Sequence, residues 1–212
     1  MRILIADDHA VVRAGLRALL ESRSGWEVCA EAADGREAVD QATKLKPDVA
    51  VLDIGMPLLN GVEATLRIRS ASPGTEVLIL TMHESDDLVR QVIRAGARGY
   101  ILKDDADRVL LAAIDSVSLH KPYFSTRVSA LADSHDSTPP EHDKPSRARL
   151  TPREREILQL LAEGKSNKQV ASLLRISVNT AEAHRANIML KLNFHSLAEL
   201  VHYAVRNKII KP

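Results

Sequence analysis

Five short apolar runs, interleaved with stretches of helical spacing, constrain this chain more than any other feature. The runs are Ile3-Leu-Ile-Ala6, Trp26-Glu-Val-Cys-Ala30, Val49-Ala-Val-Leu52, Val77-Leu-Ile-Leu80 and Tyr100-Ile-Leu102. Runs this short and rich in β-branched residues read as strands buried on both faces. Between and after them, Val11, Val12, Leu16, Ala18, Leu19 and Leu20; Ala38, Val39, Ala42 and Leu45; Val62, Ala64, Leu66 and Ile68; Leu88, Val89, Val92 and Ile93; and Val109 to Val117 recur at helical spacing. Strands alternating with helices call for an α/β fold with a five-stranded, doubly wound parallel sheet. Right-handed crossovers then put every strand end on one edge, the edge where such sheets carry their ligand chemistry.

Four of the five runs end in a polar residue at that edge: Asp7 and Asp8, Asp53, Thr81 and Lys103. Singly, each has a modest explanation. Asp8 caps a helix, Thr81 and Pro57 form turns, and Lys103 is a solvated charge. Four strands ending this way on a shared edge are not explained by capping. Carboxylates gathered there repel by roughly 4 kcal/mol per close pair at an effective dielectric near 20, so the site must bind a cation or shift a pKa. Hard oxygen ligands without His or Cys favour Mg²⁺. An aspartate beside Mg²⁺, a lysine and a hydroxyl can accept a phosphoryl group, with Lys103 and the metal offsetting charge on the transferring oxygens.

The 212 residues suit two domains, and 45% apolar content excludes a disordered chain. No apolar run reaches the ~18 residues needed to cross a bilayer, so a cytoplasmic protein with no membrane partner is expected. A single cysteine, Cys29, excludes a disulfide framework. Charge is split along the chain. Residues 1–125 hold 15 basic and 19 acidic side chains, a net of −4, whereas residues 150–212 hold 10 and 5, a net of +5. An acidic front and a basic tail point to two tasks, the tail toward nucleic acid.

Residues 126–149, with Ser134 to Ser146 rich in Ser, Pro and balanced charge, read as a flexible tether whose His135 and His142 are simply solvated. Beyond it, Thr151-Pro-Arg-Glu154 and Ser166-Asn-Lys-Gln169 are capping boxes, and Ser177 and Ser196 open two more helices. Two helices joined by so tight a turn in a basic domain read as a helix-turn-helix for double-stranded DNA. In the third helix Ala181, His184, Ile188 and Leu192 share the core stripe. Glu182, Ala183, Ala186 and Asn187 face away; Asn187 suits adenine, Ala183 a thymine methyl and Glu182 cytosine. Lys168, Thr180, Arg185 and Lys191 suit phosphates. The alternative is a small helical bundle whose exposed face is merely solvated.

The set Asp7-Asp8, Asp53 in D-x-x-M-P-x-x-x-G form, Thr81, Tyr100 and Lys103 resembles the flavodoxin-like receiver domain of bacterial two-component response regulators. The tail, through Leu150-Thr-x-Arg-Glu-Arg-Glu-Ile-Leu158, Gly164-x-Ser-Asn-Lys-x-Val-Ala171, Ile176-Ser177, Thr180-x-x-x-His184 and Lys191-Leu192, resembles the LuxR- or NarL-type DNA-binding domain. Ala181 stands where that family usually has Val, and Glu182 where some members have a basic residue. The resemblance implies a receiver over residues 1–122, a linker over 123–147 and a four-helix DNA-binding domain over 148–212. It further implies a transcriptional regulator rather than an enzyme. Asp53 takes a phosphoryl group from a phosphohistidine of a sensor histidine kinase, and Asp8, Asp53 and the Gly55 carbonyl hold Mg²⁺ with Asp7 assisting. Thr81 and Lys103 contact the phosphoryl group, Tyr100 swings inward with Thr81 as the switch, and Gly55 and His83 tune the phosphoryl lifetime. Phosphorylation would favour a homodimer, through the receiver or through Leu197, Leu200, Val201 and Tyr203 of the last helix, and so control promoter binding. Two rivals are a Mg²⁺-dependent phosphatase, which should carry an Asp-x-Asp nucleophile that Ile5-Ala-Asp-Asp8 lacks, and a regulator that binds DNA without phosphorylation.

Overall fold

The computed structural model describes residues 1–82, 86–124 and 150–211. His83 and the expected tether over 126–149, with His135 and His142, lie outside the described residues. The chain divides into two compact units, Met1–Pro139 and Pro140–Pro212.

In the first unit, strands β1 (Arg2–Ala6), β2 (Glu27–Ala32), β3 (Val49–Asp53), β4 (Glu76–Thr81) and β5 (Gly99–Leu102) form one parallel sheet in the order β2-β1-β3-β4-β5. Helices α1 (Ala10–Glu21), α2 (Gly35–Leu45), α3 (Gly61–Ala71), α4 (Asp86–Arg94) and α5 (Ala106–Ser118) connect and follow them. This is the doubly wound sheet that the alternating runs demand. Side chains alternate across a strand, and here the alternation feeds two cores. Ile3, Ile5, Val49, Val51, Leu78 and Leu80 meet Leu16 and Leu20 of α1 and Leu110, Ile114 and Val117 of α5. Leu4, Ala6, Ala50, Leu52, Val77 and Ile79 meet Ala38 and Ala42 of α2, Ala64 and Ile68 of α3, and Leu88, Val89 and Val92 of α4.

Two local expectations shift. β2 runs two residues further than the apolar run, to Ala32, because as an edge strand it is held by pairing to β1 more than by its own hydrophobicity. Val11 is 86% exposed. The stripe of α1 that meets the sheet is Val12, Leu16, Leu19 and Leu20, and Val11 sits about 100° away from it on the helix.

The opposite edge is covered after α5. His120 takes a left-handed φ of 58°, and the chain returns so that Tyr123 N–H donates to Arg98 O and Tyr100 N–H to Tyr123 O, each at 3.0 Å. An edge strand that would template pairing is thereby blunted. His120 Nδ1 lies 2.8 Å from Glu76, which is buried at the start of β4 with Arg69 and Arg98 at 3.3 Å. Burial works against the charged form of Glu76. The hydrogen bonds from Arg98 and His120 outweigh it and hold the carboxyl below its ordinary range.

The second unit holds α6 (Pro152–Ala162), α7 (Asn167–Leu174), α8 (Val178–Leu192) and α9 (Leu197–Arg206). Both expected capping boxes close, Thr151 with Glu154 and Ser166 with Gln169. Ile157, Leu158, Leu160, Val170, Ile188, Leu200 and Ala204 are buried at 0%. Arg175 ends α7 in the left-handed region at φ 54°, so the α7–α8 turn needs only Arg175, Ile176 and the cap Ser177.

Two glycines separate backbone constraint from mere flexibility. A Cβ at Gly35 would lie 1.8 Å from the Leu59 carbonyl oxygen, so the start of α2 meets the β3–α3 turn backbone to backbone. A Cβ at Gly15, in α1, meets nothing within 4 Å. Gly35→Ala is expected to destabilise the first unit by about 2–3 kcal/mol, and Gly15→Ala to stabilise it by about 0.5–1 kcal/mol. Urea denaturation of each full-length variant checks both signs.

Candidate functional site

β3 is buried along its whole length and ends in Asp53, itself 4% exposed. The turn after it is closed by its own backbone: Met56 N–H donates to Ile54 O at 3.0 Å and Gly61 N–H to the same oxygen at 2.9 Å. Met56 and Leu59 are buried and plug the turn into the core, while Gly55, just before Met56, is half-buried. Asn60 caps α3 through Glu63 N–H at 3.0 Å. A Cβ at Gly61 would stand 2.3 Å from the Asp53 carbonyl oxygen. Only glycine lets α3 begin against the last carbonyl of β3, which explains the glycine that closes the Met-Pro motif.

The neighbouring strand ends bring the other expected residues to this edge. Asp7 is 1% exposed. Its carboxylate accepts from His9 N–H at 2.9 Å and from Lys103 Nζ at 2.5 Å, and the same Lys103 nitrogen lies 3.3 Å from Asp53 Oδ1. One lysine thus spans two buried carboxylates. In the β3–β4 register Asp53 faces Leu80, so Thr81, 3% exposed, follows one residue beyond. Tyr100 is 4% exposed, and its ring already lies inward, in the same core as Leu88, Val89 and Val92 of α4. Asp8 is more open, with 27% of its side chain exposed.

His9 is the residue that the sequence did not signal. Its Nδ1 lies 3.1 Å from Asp7 Oδ1 and 2.8 Å from Asp8 Oδ1. Asp7, Asp8 and His9 offer ligand atoms within 4.8 Å of one another, a group able to hold a metal ion. A histidine at the N-cap of α1 that makes no cap hydrogen bond is the trace it leaves: its side chain is used for something other than capping. Two carboxylates at bonding distance suit a hard divalent cation.

The second unit presents the face expected of a recognition helix. On α8, Ala181 and Ile188 are buried, and His184 and Leu192 half-buried. Thr180, Glu182, Ala183, Ala186 and Asn187 are exposed, as is Lys168 on α7, while Arg185 is half-buried. Lys191 is placed differently from the other basic residues. Its Nζ lies 2.8 Å from Glu154 Oε2, pinning α8 to the capping box of α6. Burial raises the cost of charge on Glu154, but the bonds from Lys191 and Thr151 prevail and hold its carboxyl below the usual range. In α9, Leu200 is buried at 0% and so belongs to the domain core rather than to a docking surface, and Tyr203 packs edge-on against Phe194 at 5.4 Å. Leu197 remains 43% exposed.

Residues 3–115 match the response regulator receiver domain, and residues 148–204 match the luxR family of bacterial regulatory proteins. The chain is a two-component response regulator of the LuxR family. It is 40% identical to the oxygen regulatory protein NreC of Staphylococcus epidermidis over the full length of both. Among solved structures it resembles the RcsB response regulator of Salmonella typhimurium, with 27% identity, a TM-score of 0.66 and 98% of each chain covered. It also resembles the response regulator in an RcsB–DNA complex, with 28% identity, a TM-score of 0.57 and 96% of each chain covered. A receiver joined to a LuxR-type domain makes this a DNA-binding transcription regulator rather than an enzyme. Among the described residues no helix is long and apolar enough to cross a membrane.

Because Glu154 is depressed in the folded state, its contribution to stability is complete above the unfolded carboxyl pKa of about 4.3 and fades as pH falls through its lower folded value. Lys191→Met is expected to cost the helical domain about 1–3 kcal/mol at pH 7 and to flatten this acid dependence. Denaturation of the full-length regulator and its variant at pH 7 and pH 4 checks both.

Proposed function

We propose that Asp53 is the phosphoacceptor of this response regulator and that a sensor histidine kinase is the donor. One observation carries the reading: Lys103 Nζ lies between Asp7 and Asp53 at 2.5 and 3.3 Å, at the end of a fully buried strand. A carboxylate oxygen of Asp53 attacks the phosphorus, the P–N bond to the kinase histidine breaks, and its electron pair returns to the imidazole. Lys103 stands within reach of the oxygens of the transferred group and offsets their charge. The Thr81 hydroxyl, at the adjoining strand end, donates to the same group. Asp8, Asp53 and the Gly55 carbonyl, with Asp7 beside them, would hold Mg²⁺, which would supply further neutralisation of the phosphoryl oxygens. Hydrolysis of the aspartyl phosphate in the same site ends the signal.

The output is a homodimer on double-stranded DNA in the cytoplasm. A response regulator of similar fold occurs in a DNA complex, and the exposed side of α8 carries Glu182, Ala183, Ala186 and Asn187 for base edges. Lys168, Thr180 and Arg185 serve phosphates, and Lys191 does so only by leaving Glu154. Two α8 helices related by a two-fold axis read half-sites about one DNA turn apart. Phosphorylation shifts a two-state receiver through Thr81 and Tyr100. About 5.5 kcal/mol of differential stabilisation turns a 1:99 population into 99:1, a sum within the range of several charge-assisted contacts.

With a small-molecule phosphodonor and Mg²⁺, intact mass is expected to show a single phosphoryl adduct on the wild type and none on Asp53→Asn. A wild type that gains no adduct sinks the phospho-switch and leaves DNA binding without phosphorylation as the function. On an operator selected from a random DNA pool, Asn187→Ala should cost about 1–3 kcal/mol and relax preference at one base pair. Lys168→Ala should weaken all sequences alike and reduce the salt slope by about 1. Fluorescence anisotropy over a salt series separates the two.

A further inference from the structure

One side chain of α1 reaches back to the acidic turn that precedes the helix. Arg13 Nη1 donates to the main-chain carbonyl of Asp7 at 2.7 Å, while its Nε pairs with Glu31 Oε2 of β2 at 3.2 Å. The Asp7 N–H donates to Ala32 O at 3.1 Å. Both main-chain polar groups of Asp7 are therefore tied, although the pairing of β1 with both neighbours ends at Ala6. The tied carbonyl belongs to the planar Asp7–Asp8 peptide, so fixing that oxygen fixes the plane from which the Asp8 side chain departs. Glu31 in turn is held by Arg17 Nε at 2.6 Å, and the bonds from Arg17 and Arg13 keep its carboxyl below the ordinary range. The Arg13 side chain is only 17% exposed.

We propose that Arg13, oriented by Glu31, is a positioning residue that sets the divalent-cation affinity of the Asp7–Asp8 turn. The inference rests on the reading of that turn as the Mg²⁺ site. Its sign distinguishes it from plain electrostatics. As a nearby positive charge Arg13 repels a cation, so its loss would tighten binding. As a positioning residue its loss loosens binding, as removal of outer-shell partners does elsewhere.

The test is calorimetric titration of full-length protein with MgCl₂, without phosphodonor, for the wild type, Arg13→Met, Arg13→Lys, Glu31→Gln and the Arg13→Met, Glu31→Gln double variant. Arg13→Met is expected to weaken Mg²⁺ binding by about tenfold with its circular dichroism spectrum unchanged. Arg13→Lys, which keeps the charge but not the planar fork that spans two acceptors, should also bind more weakly than wild type. Glu31→Gln should weaken binding in the wild type and add nothing in the Arg13→Met background. Unchanged or tighter binding by Arg13→Met overturns the proposal, and should that variant not fold, wild-type affinity in Arg13→Lys does so. A wild type that binds no Mg²⁺ brings down the metal reading itself, whereas a wild type that binds and an Arg13→Met that binds equally brings down only the role of Arg13.

Discussion

The first unit depends on how two nearly inaccessible acidic side chains, Asp7 and Asp53, are held side by side. Buried ions of one sign are tolerated only with a counter-charge and hydrogen bonds. Lys103 supplies the charge to both, and the His9 N–H and the Arg13-tied backbone supply order around Asp7. Every participant sits at or just past a strand end. The arrangement therefore exists only because β1, β3 and β5 run parallel and stop together, which a doubly wound sheet guarantees and an antiparallel sheet does not. One lysine shared by two acidic side chains is, in the reading proposed above, completed by the divalent ion.

The scaffold holds this edge by close backbone contact rather than by side-chain packing alone. Gly61 brings α3 onto the last carbonyl of β3, and Gly35 brings α2 onto the turn between them. Met56 and Leu59 then fill the turn from below. A loop that carries reactive groups is commonly mobile; this one is fastened at both ends and plugged in the middle. Asp53, the last residue of β3, is thereby followed by a turn that is itself held in place.

Much of this was legible in the sequence because it follows from period and punctuation. Short apolar runs marked strands buried on both faces, and polar residues closing those runs marked the edge. Thr151 with Glu154 and Ser166 with Gln169 marked helix starts through chemistry local to four residues. What was not legible depends on separations that no local pattern records. Arg13 meets Glu31 across 18 positions, and Tyr123 covers β5 from beyond α5. His9 was passed over because its neighbours suggested an all-oxygen site, and Gly35 because a glycine at a helix start is unremarkable until Leu59 lies against it. Val11 and Leu200 fail in opposite directions for one reason. Apolar character says that a residue can be buried, and only the direction of the helix face says whether it is.

The two units solve the problem of charge differently, and the contrast bears on how one controls the other. In the receiver, burial gathers acidic side chains around Lys103 at one edge of the sheet. In the helical domain, pairing engages charge: Lys191, 32% exposed, is bound to the buried Glu154, so one basic side chain of α8 is already engaged within the domain. Removing a cation from the DNA-facing set lowers the salt-dependent, sequence-independent part of binding and leaves relatively more to base contacts and to dimer geometry. In the dimer proposed above, two half-site contacts add on one DNA molecule at the effective concentration that tethering provides. In that reading phosphorylation acts by moving the monomer–dimer balance, while the Lys191–Glu154 pair keeps α8 tied to α6.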